Sequence, residues 1–361
     1  MGGAYTAIAN DLGASEYNPA GLTYISHIDA GVMAIANRTS VMSDDGASKE
    51  TKWDFIPTNA GFAMKAGSFA VGLSRKIPQS KNTYQKFSQT QYYKVFAPDG
   101  YPMQYDSLSD KIDTSDLATY AVTAALKLGR LSLGANYNYI NGDISREFSG
   151  KVDNPYRYWW WAWYYPAGTY PSANDQFKGT NNLTLKGYTM DFGALMDMGI
   201  LRLGATAKNA MGSVDVSQQL LWRDNFAMGP GNWFTWQTPK TTKTLTKFAP
   251  TYTAGAALVL GKILTVDLDY VTVSLEDSKK AQGRLGAELA VIPGFLFARA
   301  GINSDFKNIV QDQDQKTMKY FVGAGLKMLV LTVDAAASLE QAKEGSDGGN
   351  MSGAVSAQLK F

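Results

Sequence analysis

MGGAYTAIANDLGASEYNPAGLTYI, residues 1–25, is the stretch around which the rest of the chain is organised. It shows neither the alternation of a strand nor the stripe of an amphipathic helix. Glycines interrupt it, and Asn10-Asp11 and Asn18-Pro19 supply turn chemistry. After Tyr24 the pattern becomes that of β-strands and stays so to the last residue. If those strands close into a barrel, this compact segment can be buried in the lumen, so we predict that residues 1–24 form a plug, or hatch.

Apolar and polar residues alternate with the two-residue period of a β-strand from residue 27 onward. In 188–198, for example, Tyr188, Met190 and Phe192 lie on one face, and Thr189 and Asp191 lie on the other. The same rule finds fourteen strands, near 27–38, 58–66, 68–77, 117–128, 131–140, 188–198, 201–216, 241–259, 263–273, 284–292, 295–304, 317–327, 329–340 and 350–361.

The connections between these strands alternate between short and long. Tight turns are predicted at Gly67-Ser68, Gly129-Arg130, Gly199-Ile200, Gly261-Lys262, Pro293-Gly294 and around Lys327-Met328. Longer loops are predicted at about 39–57, 79–113, 149–180, 217–240, 276–282, 305–316 and 341–349. Short periplasmic turns and long extracellular loops are typical of outer-membrane barrels. The sequence therefore predicts an all-β fold, a 14-stranded antiparallel transmembrane β-barrel over residues 25–361 with the hatch in its lumen.

A soluble sandwich or lipocalin-like barrel is the alternative interpretation, since alternation alone does not say which face points inward. A soluble barrel around one ligand needs about eight strands. The non-apolar faces of the predicted strands carry charges of both signs, which suit a polar lumen, for example Lys127, Asp191, Arg202, Asp269 and Arg299. The sequence contains no run of about 18 apolar residues, the length that a transmembrane helix needs, so no such helix is predicted. We therefore interpret the chain as a membrane barrel.

The hatch segment resembles the N-terminal hatch of FadL-type long-chain fatty acid transporters of bacterial outer membranes. The resemblance runs over Gly3-Ala4, Ala9-Asn10-Asp11, Ala14-Ser15 and Tyr17 to Leu22, and includes the closing Asn18-Pro19-Ala20 motif. A related branch, the PorV-like accessory barrels of type IX secretion, carries a similar opening. The last strand alternates to a terminal Phe361, which resembles the signal read by the barrel assembly machinery. The resemblance implies a barrel in the bacterial outer membrane, among outer-membrane lipids.

Seven of the eight tryptophans lie in two predicted loops, the third and the fourth. Trp and Tyr offer a large apolar body with a polar edge, which suits a hydrophobic ligand or a lipid headgroup. The resemblance implies a groove here that first captures the ligand. The predicted capture residues are Trp159, Trp160, Trp161, Trp163, Tyr164, Trp222, Phe226, Trp233, Phe234 and Trp236. An aromatic girdle, a lid over the barrel and a protein-binding face remain alternatives.

Passive, binding-driven uptake of hydrophobic molecules is the function that the resemblance implies, with long-chain fatty acids as the default substrate. It also implies a lateral exit at a kink in the third strand, where Gly72 and Pro78 are the residues that weaken the ladder. The main alternative is a PorV-like docking scaffold for a secreted or surface protein. A general diffusion porin is a third interpretation, which the hatch disfavours because a filled lumen conducts small solutes poorly.

Other functions find little support in the residues. The formal charge of +2 gives no reason to expect nucleic acid as a partner. The chain has no Cys, and His27 is its single histidine. With no G-x-S-x-G motif either, catalysis is not expected. Asp305, Asp312 and Asp314 have a spacing that could serve Ca²⁺, but a solvated acidic loop is the better interpretation. No cofactor and no metal site are expected.

Overall fold

The alternating stretches form the antiparallel strands of one closed sheet in the structure, a computed structural model. The structure describes residues 1–42, 49–77, 81–86, 92–93, 103–114, 116–153, 175–224, 235–236, 240–273, 281–305, 318–340 and 351–361. Among these residues, neither helix has the length and apolarity needed to span a membrane.

The chain begins with two short helices and continues as strands. The helices are α1 (Ala14–Tyr17) and a 3₁₀ helix (Pro19–Tyr24). The strands are β1 (Ile28–Met42), β2 (Lys49–Ala66), β3 (Phe69–Lys76), β4 (Lys81–Lys86), β5 (Tyr92–Tyr93), β6 (Met103–Asp113), β7 (Ala118–Leu128), β8 (Leu131–Asp153), β9 (Asp175–Asp197), β10 (Leu201–Asp224), β11 (Thr235–Trp236), β12 (Lys240–Thr246), β13 (Thr251–Leu260), β14 (Leu264–Thr272), β15 (Ala281–Ile292), β16 (Leu296–Asp305), β17 (Met318–Met328), β18 (Leu331–Glu340) and β19 (Met351–Lys360).

The first and last strands close the barrel. β1 pairs with β19 from Asp29 opposite Lys360 to Asn37 opposite Ser352, and all the strand pairings are antiparallel. Three pairs of strands each share one place in the wall. β12 and β13 both pair with β10, β6 and β7 both pair with β8, and β3 and β4 pair with β7 and β6 respectively. The two-residue strands β5 and β11 pair with β6 and β10. The result is a closed 14-stranded antiparallel barrel, which confirms the predicted fold class.

The outer and inner faces of the wall differ in polarity as a membrane barrel requires. Large apolar side chains are exposed all round the outside, among them Val32, Phe62, Leu73, Val122 and Leu268. The lumen instead holds ion pairs. Arg299 bonds Glu288 at 2.6 Å and also Asp334, Arg202 lies 3.4 Å from Asp197, and Lys319 lies 2.9 Å from Glu340. An apolar outer band and a polar interior are the signature of a transmembrane barrel.

The short turns follow the sequence closely. Five contain a glycine with positive φ, between 60° and 91°, at positions 67, 129, 199, 261 and 294. A residue without Cβ adopts this conformation at low cost. The sixth turn lies at Leu329-Val330, two residues beyond its predicted place, and Leu329 takes a φ of 47°.

Several strands are longer than the alternation predicts. β8, β9 and β10 contain 23, 23 and 24 residues, whereas a membrane crossing takes about 9–11 residues. Parts of the predicted loops 39–57, 79–113, 149–180 and 217–240 are therefore strand. The predicted strand 241–259 is divided instead, because residues 247–250 leave the ladder between β12 and β13. Pro250, which has no N–H to donate, stands at this interruption.

Candidate functional site

The lumen is occupied by the N-terminal segment, and its first anchor is Asp269 on β14. One carboxylate oxygen, Oδ2, accepts three hydrogen bonds, from the N–H of Tyr5 (3.0 Å), the N–H of Thr6 (3.1 Å) and the hydroxyl of Thr6 (2.8 Å). Hydrogen bonds to a charged acceptor are among the stronger ones in proteins. Asp269 therefore fixes the first turn of the hatch against the barrel wall.

The Asn18-Pro19-Ala20 motif forms the second anchor. Asn18 is fully buried, and its side-chain NH₂ donates to the carbonyl of Thr6 (2.8 Å) and to the carbonyl of Ala194 on β9 (3.0 Å). Its side-chain oxygen accepts from the N–H of Ala20 (3.2 Å), which caps the 3₁₀ helix, with Pro19 at the first helical position. One residue thus joins the two ends of the hatch to each other and to the wall.

The wall is bare of side chains where the hatch backbone touches it. Gly134 and Gly193 are opposite each other on β8 and β9, and a Cβ on either would overlap Pro19 or its neighbours. Gly204 likewise meets Thr6 and Ala7, and the paired Gly286 and Gly301 meet Met1 and Gly2. A close backbone approach of this kind requires glycine. The sequence alone did not single these positions out as a hatch seat.

The hatch packs its apolar side against β2, β3 and β7. Leu22 and Ile25 form a buried cluster with small wall residues, Ala63, Ala70 and Ala125. Gly72 belongs to this contact, because a Cβ there would lie 3.1 Å from Leu22 Cδ2. The hatch also holds two partly buried aromatic side chains, Tyr5 and Tyr17, whose rings meet edge to face at 5.4 Å. Burial raises the pKa of Tyr17 to about 12, with Glu16 adding to the shift, so its phenol is neutral at physiological pH.

A polar network above the hatch connects α1 to a bulge in β10. Asn136 donates to the carbonyl of Ser15 (2.7 Å) and to Asp191 Oδ2 (3.2 Å), which also accepts from Asn138 (2.7 Å). The other carboxylate oxygen of Asp191 accepts from the N–H of Asn209 (2.8 Å). Asn209 has a φ of 52° and lies where the register of β10 shifts. The network therefore holds a distorted strand segment next to the hatch.

Beyond this network the lumen becomes apolar. Four buried residues, one directly before β7 and one each from β8, β9 and β10, pack together, and four partly buried residues complete the cluster. We call this cluster the apolar vestibule; it consists of Leu117, Ile140, Ile144, Leu183, Leu185, Val214, Val216 and Phe248. Phe248 reaches it from the interruption between β12 and β13. An apolar lining inside a barrel is a surface that can bind hydrophobic molecules.

The vestibule marks an inversion of polarity along the long strands. On β8, the outward residues change from exposed Tyr137 and Tyr139 to exposed Asn141 and Asp143. The inward residues change at the same level from Asn138 to Ile140. β9 shows the same change away from the membrane. On its outer face, Tyr188 gives way to Lys186, and on its lumenal face, Thr189 gives way to Leu185. Sequence reasoning ended the β8 strand at residue 140, where the inversion starts, and so missed the vestibule.

The hydrogen-bonded ladder between β2 and β3 ends within the wall. It runs without a register shift from Ala66 opposite Phe69 to Asn59 opposite Lys76, and Gly72 lies in this unbroken part. The last bond joins the N–H of Ile77 to the carbonyl of Thr58 (2.8 Å), beside Pro57 at a register shift between β1 and β2. Within the described residues, the outer part of β2 pairs only with β1, and β4 pairs only with β6. Pro78 lies outside the described residues.

The remaining predicted residues are distributed as follows. Most of the predicted capture residues lie outside the described residues, namely Trp159, Trp160, Trp161, Trp163, Tyr164, Phe226, Trp233 and Phe234. Trp222 and Trp236 belong to β10 and β11, where the backbone is described. Phe361 is exposed at the end of the barrel that carries the short turns, where its backbone bonds Ile28 in both directions and its carbonyl also accepts from the N–H of His27 (2.8 Å).

Solved structures of hydrocarbon channels share this fold. The toluene transporter TbuX of Ralstonia pickettii is 13% identical with a TM-score of 0.60, and the match covers 100% of this chain and 98% of TbuX. The toluene transporter TodX of Pseudomonas putida is 10% identical with a TM-score of 0.62, over 100% and 98% of the two chains. The CymD monoaromatic hydrocarbon channel is 11% identical with a TM-score of 0.61, over 99% and 94%. No protein-family model and no curated protein matches the sequence. The fold is thus that of the FadL-type barrels which the hatch motif resembles.

Proposed function

We propose that this protein is a bacterial outer-membrane channel for passive, binding-driven uptake of hydrophobic molecules. The observation that supports it most is the apolar vestibule. Its lining lies beyond the lipid-facing apolar band, at a level where both faces of the barrel wall could be polar, so an apolar inner face there needs another reason, such as a hydrophobic ligand. The fold shared with outer-membrane hydrocarbon channels supports the same function. No role in catalysis is proposed.

The proposed route has three stages. The aromatic loops, including Trp159, Trp160 and Trp161, capture the ligand, and the vestibule then takes it up from water. The hatch blocks the lumen below, so that the ligand advances only as the hatch or the adjoining wall rearranges. The exit is lateral, where the ladder between β2 and β3 ends after Ile77 and Thr58, a few residues beyond Gly72 and next to Pro78. The gradient of ligand concentration drives the process.

Two substrate classes follow from two different observations. The resemblance of the hatch motif gives long-chain fatty acids as the default. The names of the structural neighbours favour small aromatic hydrocarbons such as toluene. The eight residues of the vestibule carry no charge, which suits the tail of a fatty acid and the whole of a monoaromatic molecule. A fatty acid needs in addition a cation or a hydrogen-bond donor for its carboxylate.

Titration of the detergent-purified barrel with palmitate and with toluene, followed by tryptophan emission, tests the proposal. If fatty acids are the substrate, we expect a saturable change in tryptophan emission at micromolar palmitate. If small aromatic hydrocarbons are the substrate, we expect the change with toluene and not with palmitate. The Trp159→Ala, Trp160→Ala, Trp161→Ala triple variant should weaken this binding. Flat titrations with both ligands would contradict the uptake function. The PorV-like docking scaffold would then be the better account, and the same triple variant should instead reduce capture of a secreted or surface protein.

A further inference from the structure

An apolar groove of about 850 Å³ lies on the outer face of the barrel, over β18, β19, β1, β2, β3 and β7. We call it the outer groove. Its walls are exposed apolar side chains on the lipid-facing surface, and a single charged residue stands among them; the main contributors are Val32, Phe62, Leu73, Tyr120, Leu359 and Arg75. The groove extends from Arg75 and Tyr120 towards Leu331 and Leu359, which lie close to the periplasmic turns.

Arg75 is an unusual residue for this surface. It follows Leu73 on the outward side of β3 and is exposed, and its neighbours across the sheet are Ala60 and Tyr120. Within the described part of the chain, no carboxylate lies within ion-pair distance of Arg75. A cation on the lipid face of a barrel is unfavourable near the bilayer centre and least so near the interfaces. The position of Arg75 along the strand therefore decides what it can do.

Arg75 lies at the extracellular edge of the lipid-facing apolar band. It is opposite Tyr120, which is opposite Tyr139, which is opposite Tyr188. On β8 and β9, the next outward residues away from the membrane are polar and exposed, Asn141 and Lys186. Tyrosines at such a boundary are the aromatic girdle of a membrane barrel. An arginine in this row reaches the level of the lipid headgroups.

We propose that the outer groove binds one phosphate-bearing membrane lipid, with the phosphate on the Arg75 guanidinium and an acyl chain along the groove. Arginine presents paired N–H donors that match a phosphate group. The groove starts at the headgroup level and continues towards the bilayer interior, as the acyl chain of a lipid in the outer leaflet does. Apart from Arg75, Ser74 and the hydroxyl of Tyr120, its lining is apolar, which fits a hydrocarbon chain. A neutral transported hydrocarbon would have no use for the cation.

This site is separate from the proposed uptake route, although it adjoins the place where the β2–β3 ladder ends. The groove is outside the wall, whereas the vestibule is inside it. A change at Arg75 should therefore leave the titration with toluene, which is uncharged, unchanged. Failure of the lipid site and failure of the uptake function can thus be observed independently.

Native mass spectrometry of the detergent-purified barrel tests the site with two lipids that have identical acyl chains, phosphatidic acid and diacylglycerol. We expect the wild type to bind phosphatidic acid more tightly. Arg75→Gln should weaken phosphatidic acid about fivefold, the effect of one arginine at an anionic headgroup, and leave diacylglycerol unchanged. Arg130→Gln, which removes an exposed arginine from a periplasmic turn, is the matched control and should change neither.

The groove itself is tested by filling it. Ala60→Phe places a ring in the groove and should weaken both lipids, whereas Ala124→Phe, at another exposed lipid-facing position on β7, should weaken neither. Inorganic phosphate at the lipid concentration should not compete. Equal binding of the two lipids by the wild type would overturn the proposal. So would equal effects of Arg75→Gln and Arg130→Gln, or displacement of the lipid by phosphate alone. Thermal unfolding in the same detergent verifies that each variant is folded.

Discussion

The long strands β8, β9 and β10 contain two regions with opposite polarity. Near the membrane they are apolar outside and polar inside, and the polar interior is where the hatch is bound. Farther out they are polar outside and apolar inside. Apolar and polar residues alternate in both regions. The regions differ only in whether the apolar residues face the lumen or the outside. The comparison supports the proposed division of work, in which the lower lumen holds a plug through hydrogen bonds and the upper lumen binds hydrophobic ligands.

Removal of the plug should break the comparison most strongly. Without residues 1–22, the lower lumen loses the segment that fills it and becomes a water-filled passage, as in wider barrels. We expect the single-channel conductance in planar bilayers to rise from nearly closed to that of an open pore. Vestibule binding should persist, since Leu183 and Leu185 are on the wall. Unchanged conductance would contradict the assignment of the hatch as a plug.

Filling the hatch seat should have the next largest effect. Gly134→Leu forces a side chain into the backbone of Pro19 and Ala20, and overpacking of this kind costs about 1–3 kcal/mol. We expect a leak conductance and faster protease cleavage within residues 1–24. Gly353→Leu is the control, because the nearest atom to a Cβ there is 3.6 Å away. Equal leaks in the two variants would mean that the seat at Gly134 is not specific.

Loss of the Asp269 anchor should loosen the hatch more mildly. Asp269→Ala removes three hydrogen bonds to Tyr5 and Thr6 that share one acceptor oxygen. A hydrogen bond to a charged group contributes about 1.5–3 kcal/mol net, but water in the opened space can replace this acceptor, whereas no water relieves the overlap at Gly134. The remaining contacts of Asn18 still hold the segment. We expect an intermittent leak in bilayer recordings, smaller than that of the deletion. Glu340→Gln, at an ion pair away from the hatch, should record no leak.

The smallest expected effect is at high pH. Burial raises the pKa of Tyr17 to about 12, compared with about 10 for an unburied tyrosine. The docked hatch therefore keeps a proton that an undocked one loses, so docking should weaken as pH rises through the window between these values. Leak conductance should rise there in the wild type, and Tyr17→Phe should reduce the rise. A pH response that is identical in Tyr17→Phe would exclude this tyrosine as its source.

The fold was predictable because the alternation that encodes it is local. The turns at Gly67, Gly129 and Gly199 need a positive φ, and a glycine in the sequence marks each of them. The hatch was predictable because Asn18-Pro19-Ala20 carries both cap chemistry and a family resemblance. The vestibule was not, since the apolar residues of β8 continue the strand in the opposite phase after residue 140. The end of the β2–β3 ladder was not predictable either. It depends on where the two strands separate, far from the hairpin turn that joins them.

The outer groove illustrates another limit of the sequence. Arg75 reads in the chain as one more polar residue near the end of a strand. Only the register with Tyr120 and Tyr139 reveals that it stands at the edge of the lipid-facing band. Information of this kind belongs to pairs of strands and is absent from either strand alone.

The most direct test of the account compares two adjacent residues on β9, one inside the vestibule and one outside it. Leu185→Asn buries an amide in the apolar lining, at a cost of about 1–3 kcal/mol. The affinity for the ligand should therefore fall roughly tenfold, which corresponds to about 1.4 kcal/mol. Lys186→Asn changes the exposed outer neighbour and should leave the affinity as it was. Equal affinities for Leu185→Asn and the wild type would contradict the claim that the inverted region binds the ligand.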